Sequence, residues 1–214
     1  RNRWYNRTKN ISEYNYLNLS GWSGETPSLD LDALKTTLQI AKEKHSQGLM
    51  WEASPAKFAS LPFLMAANKN LRDNISVDSS LGEFCNNMFA AAGKTIYSLL
   101  LLWTDNEKLA GGISNLYKMP LYFELVKTAE QQIANEPEIV KARLRELKAY
   151  LHYMSLYYDW AGDQGTNAKT SKAAALCMYL AKINKMQLVN SYYLISTISR
   201  SYAVTTSFYQ QYNV

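Results

Sequence analysis

The sequence predicts a mostly α protein, in which the last two βα units of a (β/α)8-type barrel are followed by an antiparallel helical bundle. Three observations predict it. Two short apolar or aromatic runs, residues 11–17 and 48–52, flank one amphipathic helix pattern, as a parallel βαβ crossover requires. Downstream of them the apolar residues recur at helical spacing only. Two parallel strands also make no stable sheet by themselves, so they call for neighbouring strands outside this chain. The chain divides accordingly into residues 1–75, the barrel units, and 76–214, the helical domain.

The first strand is rich in aromatic and β-branched residues. It is closed by the turn formers Asn18, Ser20, Gly21, Ser23, Gly24 and Pro27. Ser28 or Asp30 then caps a helix, with Asp32 in its first turn and Lys42 to Lys44 in its last. Leu31, Leu34, Leu38 and Ile40-Ala41 form its apolar stripe. Gly48-Leu49-Met50-Trp51-Glu52 is the second strand, and it breaks at Ala53-Ser54-Pro55. Pro62 sits in the first turn of a helix running to about Asp73. Asp78 or Ser79 opens a long helix that continues through Phe84, Met88, Phe89, Ala92, Ile96, Leu99, Leu100 and Trp103.

A polar, glycine-containing loop over 105–114 ends that helix. Residues 119–134 form the next, with Leu121, Leu125, Ala129 and Ile133 on its inward face. Pro137 starts a helix lined by Ile139, Leu144, Leu147, Leu151, Met154 and Tyr158, which ends at Gly162 in a left-handed cap. Residues 170–186 follow, with Ala174, Cys177 and Met178 inward, and residues 190–212 form the last helix.

Composition narrows the chemistry. With 214 residues and 47% hydrophobic content the chain can bury a core, yet its longest apolar run, 99–103, is far too short to span a bilayer. The net charge of +5 is mild, and Lys141, Arg143, Arg145 and Lys148 alternate with Glu138 and Glu146, the pattern of a solvated helix face rather than a nucleic-acid interface. Cys85 and Cys177 read as buried free thiols, with one disulfide as the alternative. Two cysteines and two histidines, His45 and His152, form no metal-ligand cluster, and Gly111-Gly112 is a loop rather than a phosphate cradle, so neither metal nor cofactor is expected. Most of the 16 tyrosines and five tryptophans serve helix packing. The chain begins Arg1-Asn2-Arg3-Trp4, without methionine, and is expected to belong to a larger polypeptide.

The segment ending in Trp51-Glu52 carries the functional reading. In α/β barrels chemistry sits where strands end. An indole there stacks on a sugar ring and a carboxylate accepts its hydroxyl hydrogen bonds. The same pair also suits a core tryptophan beside a solvated acid.

A family resemblance covers most of the chain. Tyr14-Asn15-Tyr16 at one strand end, Gly48 to Glu52 at the next, and Leu64-Met65-Ala66-Ala67-Asn68-Lys69-Asn70-Leu71 on the following helix resemble motifs of a bacterial domain-of-unknown-function family from polysaccharide-utilisation loci. That family is similar to glycoside hydrolases of the β-N-acetylhexosaminidase and α-glucuronidase type. The resemblance implies that Trp51 forms an apolar wall of a sugar subsite, that Glu52 holds hydroxyls, and that Tyr14 or Tyr16 contributes from the neighbouring strand. It also implies a glycan or oligosaccharide ligand and a periplasmic, cell-surface or secreted protein. The acid pair of the related hexosaminidases has no match here. Glu13, Glu25 and Glu52 are the acids near the strand ends, and none is assigned as a catalyst. The expectation is part of a glycoside-hydrolase-like protein whose catalytic acids are not in this chain. The alternative is a non-catalytic helical glycan-binding or protein-interaction protein of a polysaccharide-utilisation system, because residues 147–157 resemble a helix of starch-binding outer-membrane lipoproteins.

Overall fold

The computed structural model describes residues 11–17, 24–27, 29–53, 56–104, 113–163 and 165–202. It is mostly helical, with a small two-stranded parallel sheet. Trp4, the turn residues Asn18, Ser20, Gly21 and Ser23, Ser28, Ser54-Pro55, Gly111-Gly112 and residues 203–212 lie outside the described residues.

Strand β1 (Ser12–Leu17), helix α1 (Leu31–Glu43) and strand β2 (Gly48–Ala53) form the βαβ crossover that the sequence predicts. The strands run parallel, with Ser12 opposite Gly48 and Tyr16 opposite Glu52. Two bonds fasten the start of the sheet: the Gln47 N–H donates to the Ile11 carbonyl at 2.8 Å, and the Ser46 hydroxyl donates to the same oxygen at 3.0 Å. Asp30 is the cap of α1, its carboxylate accepting the Ala33 N–H at 2.8 Å. Leu31, Leu34, Leu38 and Ala41 are buried, as their spacing predicts.

The remaining helices are α2 (Lys57–Asp73), α3 (Val77–Phe89), α4 (Gly93–Thr104), α5 (Ile113–Gln132), α6 (Glu138–Gly162), α7 (Thr166–Ile183) and α8 (Ser191–Tyr202). From α1 to α8 each helix packs against the next. Their details depart from the sequence reading at several points. Helix α2 starts at Lys57, five residues before Pro62, because the Lys57 N–H is taken by the Leu188 carbonyl at 3.0 Å. Pro62 therefore lies inside the helix, buried, and supplies no N–H to the carbonyl of Phe58. Helix α3 is capped by Ser76, not by Asp78 or Ser79, through the Ser79 N–H at 3.1 Å.

The long helix expected from 78 to 103 is broken. Ala90 takes φ +47°, a 3-10 turn covers Ala90–Ala92, and α4 begins at Gly93. Alanine favours continuing the helix, so the break is imposed by packing. It buries Ala92, Ile96, Leu99 and Leu100 against the other helices and lays Gly93 on the end of α3. A Cβ at Gly93 would stand 2.7 Å from Asn86 Cα. Gly93→Ala should therefore lower stability by about 1–3 kcal/mol. Gly82→Ala, on α3, meets nothing within 4 Å and should raise it by up to about 1 kcal/mol. Urea unfolding of the two variants checks the contrast, and equal effects would contradict the close approach.

Inward faces also differ from expectation. On α5 the buried residues include Met119, Tyr122, Val126 and Ala129, followed by Ile133 just past its end, while Leu121 is 48% exposed. A ladder spaced strictly by four residues drifts by about 40° per step around a helix, so Leu121 and Ala129 do not share a face, whereas 122, 126, 129 and 133 do. On α6 Val140 rather than Ile139 is inward, joined by fully buried Tyr150 and Tyr153. Helix α6 closes with extended Asp163 rather than a left-handed Gly162; the Asp163 carboxylate accepts the Gly165 N–H and pairs with Lys172, each at 2.8 Å or less. On α7 Ala173, Leu176, Cys177 and Leu180 are inward, Ala174 is half-buried and Met178 is exposed.

One buried cluster runs continuously from Leu29 to Ile198, through α1 to α8. Cys85 and Cys177 lie within it as free thiols. Burial pushes them up to about 12 and about 11, which suppresses the reactive thiolate. No helix is long and apolar enough to cross a membrane among the described residues.

Candidate functional site

Side chains along a strand alternate between its faces. Trp51 and Glu52 are neighbours in sequence and therefore point to opposite sides of β2. The register fixes what each side contains. On one side Leu49 stands opposite Glu13 and Trp51 opposite Asn15. Leu49 and Trp51 pack against the helical core, Trp51 is half-buried, and Glu13 is buried. On the other side Tyr14 stands opposite Met50 and Tyr16 opposite Glu52. This side is open: Tyr14 is 51% exposed, Met50 64%, and Glu52 is exposed as well. The Tyr16 side chain lies outside the described residues.

The four residues singled out in the sequence are thus brought to one small sheet but divided by its pleat. Glu52 and Tyr14 share the open side and the register position of Tyr16 joins them, while Trp51 faces the helices. Such a side can accept and donate hydrogen bonds to hydroxyls through one carboxylate and phenol groups. The three acids near the strand ends do not converge. Glu13 faces the core, Glu52 faces outward, and Glu25 is held elsewhere by the helices.

Among the described residues, cavities that border the βαβ unit include two that do not touch Trp51, Glu52 or Tyr14. One, about 360 Å³, lies at the start of β2 between His45, Gln47, Gly48 and Leu71, the opposite end of the strand from Glu52. The other, about 310 Å³, lies between α1 and the start of α3. Its lysines are engaged: Lys35 pairs with Asp78 at 2.8 Å, and Lys42 donates to Asn74 at 2.8 Å. Among the described residues no group of three or more His, Cys, Asp or Glu side chains is placed to hold a metal.

The segment between β1 and α1, whose Gly24 and Pro27 signal a turn, is more than a connection. Gly24 and Glu25 are seated on α6. The Tyr150 hydroxyl donates to the Glu25 carbonyl at 2.7 Å and the Tyr153 hydroxyl donates to the Gly24 carbonyl. Gly24 lies so close to the Tyr157 ring that no Cβ fits. Glu25 takes φ +49°, and its carboxylate accepts the Asn190 N–H at 2.7 Å, just ahead of α8. Glu25 is only 2% exposed. Burial pushes its carboxyl up to about 7, against the opposing effect of the Asn190 bond. Nothing local in the sequence signals this seat, because the partners are more than a hundred residues away.

The aromatic residues of α6 divide by depth. Tyr150 and Tyr153 are core, while Tyr157 and Trp160, with ring centroids 5.6 Å apart, are half-buried at its end, and Lys169 lies 5.9 Å from the Trp160 ring. Comparison with protein-family models, with curated proteins and with solved structures finds no match to this chain.

Proposed function

We propose that this chain is part of a glycoside-hydrolase-like, carbohydrate-active protein, to which it contributes a sugar-subsite wall and a C-terminal helical domain. The observation that carries the reading is the open side of the parallel pair, with Glu52 and the Tyr16 position at its C-terminal rim. Parallel sheets are ordinarily covered on both sides, and in a barrel the side away from the helices looks onto the axis. Glu52, Met50 and Tyr14 lie on that side, and Trp51 on the helix side. Glu52 accordingly accepts sugar hydroxyl hydrogen bonds, assisted by Tyr14 or Tyr16, and Trp51 backs the wall. The strands that complete the barrel and the catalytic acids belong to polypeptide N-terminal to Arg1. Such a protein acts on glycans in the periplasm, at the cell surface or outside the cell.

The test is calorimetric titration of the longer polypeptide with a terminal sugar, using N-acetylglucosamine and glucuronic acid as probes. Glu52→Gln should weaken binding about tenfold or more, the loss of a charge-assisted hydrogen bond. Unaltered affinity rejects the site. A second reading, a non-catalytic helical glycan-binding or protein-interaction protein, draws on the half-buried Tyr157–Trp160 pair. It requires that this chain alone bind an oligosaccharide or a protein partner, and that Trp160→Ala abolish that binding.

A further inference from the structure

We propose that Glu25 is a proton-operated latch, which holds the segment 24–27 on α6 and α8 when protonated and loosens it when ionised. The geometry that makes it a latch is a convergence of three elements on two residues. From α6 the hydroxyls of Tyr150 and Tyr153 hold the carbonyls of Glu25 and Gly24. From the turn before α8 the Asn190 N–H holds the carboxyl itself, at 2.7 Å. The backbone at Glu25 adopts the left-handed region, φ +49°, which a non-glycine residue keeps only when its surroundings enforce it. Leu188, in the same turn, accepts the Lys57 N–H that starts α2, so this turn meets both the β1–α1 connection and the start of α2.

The charge surroundings decide the direction. The ionisable groups facing Glu25 from α6 are the phenols of Tyr150 and Tyr153, both held neutral well above the usual tyrosine range by burial. From the α8 side its partner is a neutral backbone N–H. Lys57, at the start of α2, has its ammonium on Glu146 at 2.5 Å. On its own segment Asp30 faces solvent and caps α1. A buried carboxylate that meets one neutral donor, and among the described residues no cation, is poorly compensated for lost hydration. The seated form therefore binds a proton more tightly than the released form.

The sign follows from linkage. A carboxyl whose seated value is raised from 4.5 to about 7 leaves the seat intact below about 4.5, weakens it progressively between the two values, and leaves it fully weakened above about 7. The expected loss of seating is on the order of 10²-fold between pH 4.5 and pH 8.

The experiment is an NMR titration of the full chain. The Glu25 side-chain carboxyl carbon should titrate with a midpoint near 7, the Asn190 amide should shift with it, and amide protection at 24–27 and 190–194, corrected for intrinsic exchange, should fall on going from pH 5 to pH 8. Glu25→Gln keeps an accepting oxygen and removes the charge, so its protection should not change over that range. A carboxyl midpoint near 4.5 in the wild-type chain overturns the proposal, as does a Gln variant that retains the pH-dependent loss. If that variant does not fold, the wild-type carboxyl midpoint alone decides.

Discussion

Tyr150→Ala is expected to lower the free energy of unfolding by about 3–5 kcal/mol, the range for deleting a large aromatic from a close-packed core. Tyr150 is fully buried, with ring centroids 5.9 Å from Phe58, 6.0 Å from Trp103 and 6.0 Å from Tyr153. Those rings belong to α2, α4 and α6, so the cavity left by truncation opens where three helices meet and no single side chain can fill it. The Trp103 contact is edge-on, at 75°, a geometry worth somewhat more than its buried area alone. Tyr150→Phe separates the hydroxyl from the ring. It keeps every aromatic contact and leaves the Glu25 carbonyl without the donor that meets it at 2.7 Å, so its loss should be about 1–2 kcal/mol. Urea unfolding gives both values from the midpoint if the slope is unchanged. A loss below about 2 kcal/mol for the alanine variant would show that the site relaxes, and that this residue is not where the helices are joined.

The second large effect separates two residues that are adjacent in sequence. Trp51→Ala should lower stability by about 2–3 kcal/mol, less than the full cost of a core tryptophan because the indole is half-buried against the helices. Glu52→Gln should change stability by no more than about 0.5 kcal/mol, as is usual for an exposed side chain. The difference arises from the pleat alone. Thermal and urea unfolding of the two variants measure it, and comparable losses would mean that β2 is rotated about its axis relative to the helices. The contrast also guides the reading of binding data. A weaker sugar affinity in Trp51→Ala mixes stability with recognition, whereas the same result in Glu52→Gln reports recognition.

Residues 48–52 were legible as a strand because a short apolar run broken by proline has little choice at that length, and the helix between two such runs made the pairing parallel; the strand runs one residue further, to Ala53. Asp30 as a cap and Leu31, Leu34, Leu38 and Ala41 as a buried stripe are local patterns, and local patterns are what a sequence displays. The break at Ala90 is not local. Three alanines and a glycine in mid-helix favour continuation or permit it, and only the packing of Ile96, Leu99 and Leu100 on the other helices explains why the chain turns there. Leu121 was misplaced because a regular four-residue ladder looks like a face and is not one over three turns. In the candidate site the residue types were readable, but their division between two sides of the sheet needed the register. Glu25 was legible as an acid near a strand end, but its seat was not: its partners are Tyr150 and Asn190, and no window of sequence contains them together.

The bond between Glu25 and Asn190 spans 165 residues, and that between Tyr150 and Glu25 spans 125. Helices α1 to α8 meet mainly their neighbours in the chain, contacts that close small loops and form early. The 24–27 seat cannot exist until the turn before α8 has been synthesised. A nascent chain consequently emerges with its first helices paired and the connection before α1 still loose, until the turn that precedes α8 arrives to fasten it. Truncation just upstream of Asn190 should leave much of the helical pairing in place and loosen this early segment, so assembly ends by joining an early connection to a late turn.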